Sequence, residues 1–314
     1  MAPNSTSSNA EPASLIVWRL SDGKRGHDNQ SRGLTQAISR LRAATICDLD
    51  APSPIAAFLQ FLSGRFGPGG SLPRPDLIVG AGHGTHWPML AARRACGGRT
   101  IVLMKPSLPL RCFDLCLIPR HDGVAEGGNV VVTDGALNTI APANELDEKQ
   151  GLILVGGVSR HYAWDNDAVL AQVRAILKQD TTTSWLITDS RRTPVAASAA
   201  LAGLQGDNIR RFVSCGETDP DWLPLQLKRC GKVWVTEDSI SMIYEALTAG
   251  AAVGLIDVPI AKVNRISHAV RRLVETRYVT TLIDWMAGAR LKPSREPLRE
   301  ADRCAAVVLE RFGL

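Results

Sequence analysis

Short apolar runs alternate with amphipathic stretches along almost the whole chain, and this alternation limits the choice of fold more than any other feature of the sequence. The runs are LIVWRL, ATICDL, DLIVG, TIVLM, DLCLI and NVVVT in the first half, and GLILVGG, SWLITD, IRRFVS, KVWVTE and AAVGLID in the second. Each is bounded by turn residues, as expected for strands that are buried on both faces of a parallel sheet. The alternation therefore predicts an α/β protein in which helices cover both faces of parallel sheets.

The length of 314 residues favours two domains rather than one. A polar segment at residues 141–150, which contains Pro142, interrupts the alternation, and a new series begins at Gly151. We predict two Rossmann-like domains that face each other across a cleft, with a C-terminal helix that packs back toward the first domain. The predicted boundaries are a disordered tail at 1–13, the first domain at 14–145, the second domain at 150–285 and the C-terminal helix at 296–314.

Helical periodicity is clearest at residues 29–41, 167–177 and 239–249. Asp165 or Asn166 is predicted to cap the second of these helices. The stretch at 54–66, PIAAFLQFLSGRF, is apolar on most sides and has two interpretations. It is either a helix buried in the core or an element that lies on a membrane surface, in which case Phe58 and Phe61 would enter the lipid.

The composition excludes several classes of protein. A net charge of +5 and a pI of about 8.9 favour anionic partners such as phosphates or an acidic membrane, but they are too small for a nucleic-acid-binding protein. The aromatic fraction of 5% also argues against base stacking. Seven cysteines without a regular spacing indicate reduced thiols in a cytoplasmic protein. No apolar run is long enough to span a membrane, and the first thirteen residues lack the features of a signal or transit peptide.

Ligands of open parallel sheets bind beyond the carboxyl ends of the strands, so the residues after each run are the candidates for a site. After GLILV, Gly156 and Gly157 let the backbone approach a phosphate closely, and Ser159 and Arg160 follow with a hydroxyl and a cation. A tight turn without a ligand is the alternative for the two glycines.

A second loop places hydroxyls and cations before a helix. The polar residues after SWLI are Thr188, Ser190, Arg191 and Arg192. Thr193 is predicted to cap the next helix, with Pro194 as its first residue. A helix N-terminus with adjacent arginines suits an anion, whereas solvated surface cations are the alternative for Arg191 and Arg192.

A third loop, after KVWV, carries carboxylates and hydroxyls into a helix. In the functional interpretation, Ser239 and Ser241 bind phosphate at the helix N-terminus while a carboxylate of the segment holds the two ribose hydroxyls. In the structural interpretation, Ser239 caps the helix, and Glu237 and Asp238 precede it because the helix dipole favours carboxylates there.

Other chemistries receive less support. The sequence has neither the phosphate-binding motif G-x-x-x-x-G-K-[ST] nor the hydrolase motif G-x-S-x-G, and GAGHG is a weak match to a dinucleotide fingerprint. His83 and His86 have a spacing that suits a metal, but no nearby cysteine or carboxylate completes a ligand set. We therefore predict no metal site.

Several segments resemble the mitochondrial-fission protein family, which is known from a plant protein needed for normal mitochondrial shape and from many bacterial relatives. The matching segments are SDGKRGHDNQ, FDLCLIPRHD, LVGGVSRHYAWD, LITDSRRTP and VTEDSISMIYEALTAG. That family in turn resembles glycosyltransferases of the GT-B fold, such as the N-acetylglucosamine transferase of peptidoglycan synthesis and the galactolipid synthases. Some of its members have been labelled nucleoside-diphosphate-sugar epimerases.

The resemblance implies that the second domain holds a nucleoside-diphosphate-sugar as donor substrate, with no further cofactor, and that the first domain holds the acceptor. Ser239 and Ser241 would meet the diphosphate and Glu245 the ribose, and Met242 belongs to the same nucleotide-binding segment. A membrane or cell-surface glycan, or a lipid-linked acceptor, would bring a cytoplasmic protein to the inner face of a membrane.

The loop after the first strand then has a role in catalysis. Its residues are Ser21, Asp22, Gly23, Lys24, Arg25, Gly26, His27 and Asp28. Gly23 and Gly26 allow a tight turn, and Lys24 or Arg25 offsets the charge that develops on the leaving diphosphate. His27 has the unperturbed pKa that best suits a general base near neutral pH, and Asp22 or Asp28 either orients it or serves as the base itself. A His27 that caps the helix and a solvated Lys24 are the structural alternative.

Three functions are therefore considered. The first is a GT-B glycosyltransferase of the hexosyltransferase type. The second is a non-catalytic protein that binds a nucleotide-sugar or a partner protein, and the third is a nucleoside-diphosphate-sugar epimerase.

Overall fold

The computed structural model describes residues 14–143, 145–295 and 298–314. The predicted tail at 1–13 lies outside the described residues. Within them, the chain divides into two compact units. The first unit comprises residues 14–119, 124–133 and 301–314, and the second comprises residues 120–123 and 134–300 with the gaps given above. The chain thus passes from the first unit to the second between residues 119 and 134, which is earlier in the sequence than the boundary predicted at 145–150. The C-terminal helix belongs to the first unit again.

The first unit is built on a six-stranded sheet in which every neighbouring pair of strands is parallel. Its strands are β1 (Leu15–Ser21), β2 (Ala44–Asp50), β3 (Leu77–Ala81), β4 (Arg99–Leu103), β5 (Leu115–Pro119) and β6 (Val130–Thr133). Its helices are α1 (Arg25–Leu41), α2 (Pro54–Ser63), α3 (His86–Cys96) and, from residue 301 onward, α10 (Glu300–Phe312). The strand order is β2-β1-β3-β4-β5-β6.

The second unit also contains a six-stranded, all-parallel sheet. Its strands are β7 (Asp147–Leu154), β8 (Ser184–Thr188), β9 (Ile209–Val213), β10 (Cys230–Thr236), β11 (Ala252–Ile256) and β12 (Val279–Thr281). Its helices are α4 (Asn166–Gln179), α5 (Val195–Ala202), α6 (Trp222–Leu227), α7 (Ile240–Ala249), α8 (Arg265–Glu275) and α9 (Leu282–Met286). The order β12-β11-β10-β7-β8-β9 is that of a Rossmann domain.

The strand order of each sheet reverses direction at one place. In the first sheet the chain runs from β1 outward to β2 and then crosses to β3, so the reversal lies between β1 and β3. In the second sheet it lies between β7 and β10. A crevice opens at such a reversal beyond the carboxyl ends of the strands. The loops after β1 and β3, and those after β7 and β10, therefore occupy the positions where α/β proteins bind ligands.

The structure confirms the predicted α/β class, and all eleven predicted runs form strands. A twelfth strand, β12, was not predicted, because its three residues, VTT, carry too weak a pattern. Asp165 caps α4 as predicted, since its side chain accepts hydrogen bonds from the backbone N–H groups of Asp167 and Ala168. The first helix begins at Arg25 rather than near residue 29, because Gly26 and His27 continue the helix toward the loop.

The C-terminal helix packs on the first unit, as predicted. Arg303 donates a hydrogen bond of 2.8 Å to the carbonyl of Val132 on the edge strand β6. Cys304, Ala305 and Val308 are completely buried. The helix therefore covers the last strand of the sheet, although residues 134–300 of the second unit separate the two in sequence.

Two buried tryptophans, Trp185 on β8 and Trp234 on β10, pack in one core cluster of the second unit. Trp185 and Trp234 are inaccessible to solvent. A Cβ atom at Gly151 would lie 2.3 Å from the ring of Trp185, and one at Gly254 would lie 2.3 Å from the ring of Trp234. These glycines make room for the indoles, which in turn fix the register of β7, β8, β10 and β11.

The α2 helix is not buried in the core, so that interpretation of residues 54–66 is wrong. Ala57 is its one buried residue, whereas Ile55, Leu59 and Leu62 are 78%, 60% and 55% exposed. The three exposed side chains follow each other at intervals of about one helical turn and form a single apolar stripe.

All seven cysteines are free thiols, and three of them are buried. Among the helices of the described residues, none combines the length and the apolar character that crossing a membrane requires.

Candidate functional site

Asp22 and His27 form a carboxylate–imidazole pair where β1 ends and α1 begins. The Nδ1 atom of His27 lies 2.9 Å from Oδ2 and 3.1 Å from Oδ1 of Asp22. The Asp22 side chain is 7% exposed and that of His27 is 19% exposed. The carboxylate accepts the hydrogen on Nδ1, which leaves Nε2 as the basic nitrogen of the neutral ring. The pair thus has the arrangement that a general base requires.

Two glycines after β3 form the wall behind this pair. A Cβ atom at Gly82, whose φ is +80°, would lie 2.2 Å from the ring of His27. One at Gly84 would lie 2.8 Å from the Cβ atom of Asp22. No larger residue fits at either position without displacing the pair. In the sequence, GAGHG suggests only a weak dinucleotide fingerprint, and no local pattern indicates that two of its glycines make room for Asp22 and His27.

Asp28, the other carboxylate proposed to orient His27, has a different partner. Its Oδ1 atom lies 3.0 Å from the guanidinium of Arg19, which is 2% exposed and also donates a hydrogen bond of 2.6 Å to Asp48. A buried guanidinium requires such partners. The geometry therefore assigns the orienting role to Asp22 and a structural role to Asp28.

The histidines near this pair do not form a metal centre. His86 is buried, and burial together with the nearby His83 and His27 lowers its pKa to about 4. It is therefore neutral at physiological pH, with Nδ1 3.2 Å from the hydroxyl of Ser107. Among the described residues, no group of three or more histidine, cysteine, aspartate or glutamate side chains is arranged to hold a metal ion.

In the second unit, the loop after β7 packs directly against the loop after β10. The N–H group of Gly156 donates a hydrogen bond of 2.7 Å to Thr236 Oγ1, and that of Gly157 donates one of 3.0 Å to Asp238 Oδ2. A Cβ atom at Gly156 would lie 2.4 Å from the carboxylate of Asp238. The two glycines thus allow this contact between loops, and their N–H groups are already hydrogen-bonded within the unit.

Arg192 stabilises the contact between the loop after β7 and the loop after β10. Its guanidinium lies 2.7 Å from Asp238 Oδ2 and donates a hydrogen bond of 3.0 Å to the carbonyl of Gly157. The Asp238 side chain is completely buried, and its second oxygen, Oδ1, makes no hydrogen bond within the described residues. Arg192 therefore neutralises a buried carboxylate, whereas Arg191 beside it is exposed and makes no hydrogen bond or ion pair to the described part of the chain.

Thr193 does not cap α5, contrary to the prediction. Its hydroxyl accepts a hydrogen bond of 2.8 Å from the N–H group of Ser190 and donates one to the carbonyl of Gly156. The helix begins after Pro194, at Val195. Thr193 thus serves to hold the turn 190–193 against the loop after β7.

Asp189 is a residue of the site that the sequence analysis did not identify. It is 6% exposed, accepts a hydrogen bond of 2.6 Å from the N–H group of Cys215, and also accepts one from Ser198. It therefore fixes the end of β8, where Thr188 is buried, to the residues after β9. Its signal in the sequence is its position directly after an apolar strand.

The start of α7 carries the remaining candidates. Ser239 occupies the N-cap position but its side chain makes no capping hydrogen bond, so the predicted capping role is wrong. Ser241 is exposed on the first turn, and Met242 and Glu245 are half-buried. In the first loop, Ser159 accepts a hydrogen bond from the N–H group of His161 and Arg160 is exposed.

Glu237 is a half-buried carboxyl group with an unusual pKa. Burial, and secondarily the charge of Asp257, raises its pKa from 4.5 to about 7. The buried hydroxyl of Tyr162 makes no hydrogen bond within the described residues, and its pKa is raised by burial, Glu237 and Asp238. Glu237 is therefore partly protonated at neutral pH and able to donate a hydrogen bond there.

The raised pKa of Glu237 predicts a pH dependence of stability. Below about pH 4 the carboxyl is protonated in both the folded and the unfolded state; as the pH rises through 7, ionisation destabilises the folded state. Relative to Glu237→Gln, the free energy of unfolding of the natural protein should fall between pH 5 and pH 8 by about 1–3 kcal/mol. Urea unfolding at both pH values measures this. Glu217→Gln, at an exposed position, is the control, and an equal difference at both pH values would contradict the assignment.

Comparison with known proteins identifies the fold and the family. Solved structures match nearly the whole chain at low sequence identity. They include a putative UDP-N-acetylglucosamine 2-epimerase from Listeria monocytogenes (TM-score 0.55, 11% identity, 96% of this chain and 97% of that chain). MurG from Acinetobacter baumannii has a TM-score of 0.52 at 13% identity over 96% and 99% of the two chains. UDP-GlcNAc 2-epimerase from Methanocaldococcus jannaschii has a TM-score of 0.52 at 10% identity over 95% and 100%.

At these identities the likeness establishes the fold alone, and that fold is GT-B, as predicted. None of the curated protein sequences matches the chain. The profile of the family described as Mitochondrial fission ELM1 matches residues 25–312, and it confirms the resemblance seen in the sequence. Because this match covers most of the chain, the protein belongs to the mitochondrial fission ELM1 family.

Proposed function

We propose that this protein is a glycosyltransferase that moves a sugar from a nucleoside-diphosphate-sugar to a glycan or lipid-linked acceptor. The observation that carries the proposal is the Asp22–His27 pair, held at the strand reversal of the first sheet by Gly82. An imidazole oriented by a carboxylate, with its second nitrogen available, is suited to removing a proton from an attacking hydroxyl.

The second unit supplies the groups that suit a nucleotide donor. The exposed guanidinium of Arg191 and the hydroxyl of Ser241 on the first turn of α7 lie on loops at the strand reversal of the second sheet. A helix N-terminus and an arginine are favourable for a diphosphate. Two of the structures compared above are named as enzymes of UDP-N-acetylglucosamine, which supports a UDP-sugar as the first donor to test.

In the proposed reaction, the acceptor oxygen forms a bond to the anomeric carbon of the sugar while the bond from that carbon to the diphosphate breaks. Nε2 of His27 takes the proton of the acceptor hydroxyl. Asp22 stabilises the imidazolium that results, because its carboxylate already accepts the hydrogen on Nδ1. The diphosphate leaves with the electron pair of the broken bond, and cationic groups such as Arg191 stabilise its charge.

Two other functions remain as alternatives. A protein of this family that only binds a nucleotide-sugar would show binding without release of UDP. An epimerase, the function named for two of the similar structures, would convert the sugar-nucleotide without an acceptor. Incubation with UDP-N-acetylglucosamine, with and without a membrane glycolipid extract as acceptor, followed by chromatography of the products, separates the three. Transfer releases UDP when the acceptor is present, an epimerase converts the sugar-nucleotide without it, and a binding protein leaves the sugar-nucleotide unchanged in both.

Substitution of Arg191 tests the donor half. Arg191→Ala should weaken UDP binding by about 1.5–3 kcal/mol, because hydrogen bonds to a charged partner are the strong ones. Isothermal titration with UDP, GDP and CDP measures the loss. Arg174→Ala, at an exposed position of α4, removes the same charge and should leave binding unchanged. Unchanged affinity of Arg191→Ala for all three nucleotides would remove Arg191 from the site.

Substitution of His27 tests the chemistry. His27→Ala should lower the rate of sugar transfer by about 10²-fold or more, the usual effect of losing a general base, without changing the affinity for the nucleotide. The assay follows label from a UDP-sugar into a membrane glycolipid extract. Asp28→Asn is the control for structural damage, because Asp28 pairs with Arg19 and not with His27. Full transfer activity in His27→Ala would make the loop structural.

We also propose that the first unit contacts a membrane through α2. The residues Ile55, Leu59 and Leu62 form an exposed apolar stripe, and residues 51–75 around them contain no aspartate or glutamate and two arginines. An apolar stripe in a cationic segment suits the surface of an anionic bilayer. Phe61 packs against Trp87, with ring centroids 5.6 Å apart, whereas Phe58 is 40% exposed and lies beside the stripe. Of the two phenylalanines predicted to enter the lipid, Phe58 is therefore the one that remains accessible to it.

Leu59→Glu should reduce binding to vesicles containing one third phosphatidylglycerol at least tenfold, because it places a charge in the buried part of the contact. Co-sedimentation at low and high salt measures the binding, which should weaken with salt. Val195→Glu, at an isolated position of the second unit that is 86% exposed, is the matched control. Equal loss in both variants would show that net charge, and not the stripe, governs the binding.

A further inference from the structure

We propose that the second unit contains a binding site for a small organic phosphate in a cavity beside α7 and α8, distinct from the proposed nucleotide loops. The cavity has a volume of about 550 Å³, within the range of small-molecule sites. Its lining includes Arg120, Asp134, Tyr244, His268 and Arg272. None of the lining residues belongs to the loops after β7, β8 or β10, so the site goes beyond the proposed function.

The charged side chains that line the cavity are two arginines and one carboxylate. Asp134 is the only carboxylate among the described residues that line it, and it already pairs with two arginines. The Nε atom of Arg120 lies 2.7 Å from Asp134 Oδ1, and a terminal nitrogen of Arg272 lies 3.5 Å from the same oxygen. Among the lining residues two guanidinium groups therefore face one carboxylate, and a second carboxylate, that of Glu300, lies just outside the lining and accepts a hydrogen bond of 2.8 Å from the N–H group of Asp134. An anionic ligand would pair with the guanidinium of Arg272, because its contact with Asp134 is the longer of the two.

His268 adds a donor at the same place. It lies four residues before Arg272 on α8, and side chains at this spacing lie on one face of a helix. Its imidazole makes no hydrogen bond to the described part of the chain. Arg272 is 53% exposed, so its guanidinium is able to reorient toward a ligand. The two side chains together match the oxygens of a phosphate better than a single cation would.

The floor of the cavity is apolar and aromatic. Tyr244 and Leu273 are 6% and 5% exposed, and Leu298 is also buried. Burial raises the pKa of Tyr244 to about 12, so the phenol is neutral. Gly135, with φ +111°, lies so close that a Cβ atom there would be 2.5 Å from the Tyr244 ring. The backbone thus holds the ring in place as part of the floor.

Guanidinium groups beside an aromatic floor define the class of ligand. The phosphate would contact Arg272 and His268, and a compact ring attached to it would lie on Tyr244 and Leu273. Inorganic phosphate would make only the first set of contacts and bind more weakly than a phosphate ester that carries a ring.

Phenyl phosphate is the probe that tests this site. Isothermal titration of the full chain should show that phenyl phosphate binds more tightly than inorganic phosphate, and that Arg272→Ala and His268→Ala each weaken its binding at least tenfold. Arg271→Ala is the matched control, because Arg271 is an exposed neighbour on the same helix that does not line the cavity. Its affinity should equal that of the natural protein.

The outcomes separate this site from the proposed nucleotide site. Loss of binding in Arg191→Ala, with Arg272→Ala unaffected, would place the probe on the nucleotide loops and overturn the proposal. Equal losses in Arg271→Ala and Arg272→Ala would show non-specific attraction and would also overturn it, as would the absence of binding at millimolar phenyl phosphate. Loss in Arg272→Ala and His268→Ala alone supports the site whether or not UDP binds.

Discussion

The buried carboxylate of Asp238 is the interaction on which the candidate donor site depends. It accepts a hydrogen bond from the N–H group of Gly157 and forms an ion pair with Arg192. Asp238, which follows β10, is thereby joined to the segments that follow β7 and β8. A buried charge is tolerated only when it is paired, and removing either partner of such a pair typically costs 3–5 kcal/mol. The three loops are therefore expected to keep their relative positions, so that they need not rearrange when a ligand binds.

The first unit uses the same physical arrangement with different residues. A carboxylate at the end of the first strand, Asp22, holds a side chain of the next helix, His27, and a glycine after the neighbouring strand, Gly82, removes the atoms that would clash with it. In both units the contact lies at the reversal of strand order, where two adjacent loops diverge. In the first unit, however, the ring nitrogen opposite the carboxylate remains available for chemistry, whereas in the second the guanidinium of Arg192 is used for packing.

The sequence predicted the strands and the fold class because these depend on local patterns, and it indicated which loops follow the strands as candidates for a site. It could not distinguish between neighbours of the same chemical type. Arg191 and Arg192 are adjacent residues of the same type, and only the long-range ion pair with Asp238 shows that Arg192 is the one that holds the loops together. Asp22 and Asp28 differ in the same way, because the partner of Asp28 is a buried arginine on β1. The stripe on α2 was equally ambiguous, since an apolar run does not reveal which of its faces the rest of the fold covers.

The α7 helix connects the two ligand proposals. Its first turn, with Ser241, belongs to the proposed nucleotide site, and Tyr244, less than one turn further along, forms the floor of the phosphate cavity. Ala246 and Leu247 are buried and anchor the helix in the core. A ligand that contacts Tyr244 therefore contacts the same helix that carries Ser241. If binding at the cavity changes the position or the mobility of α7, the affinity for the nucleotide must change as well, and linkage requires the nucleotide to change the affinity for the phosphate by the same factor. If α7 does not respond, the two sites are independent, since a ligand without differential affinity for two states shifts neither of them.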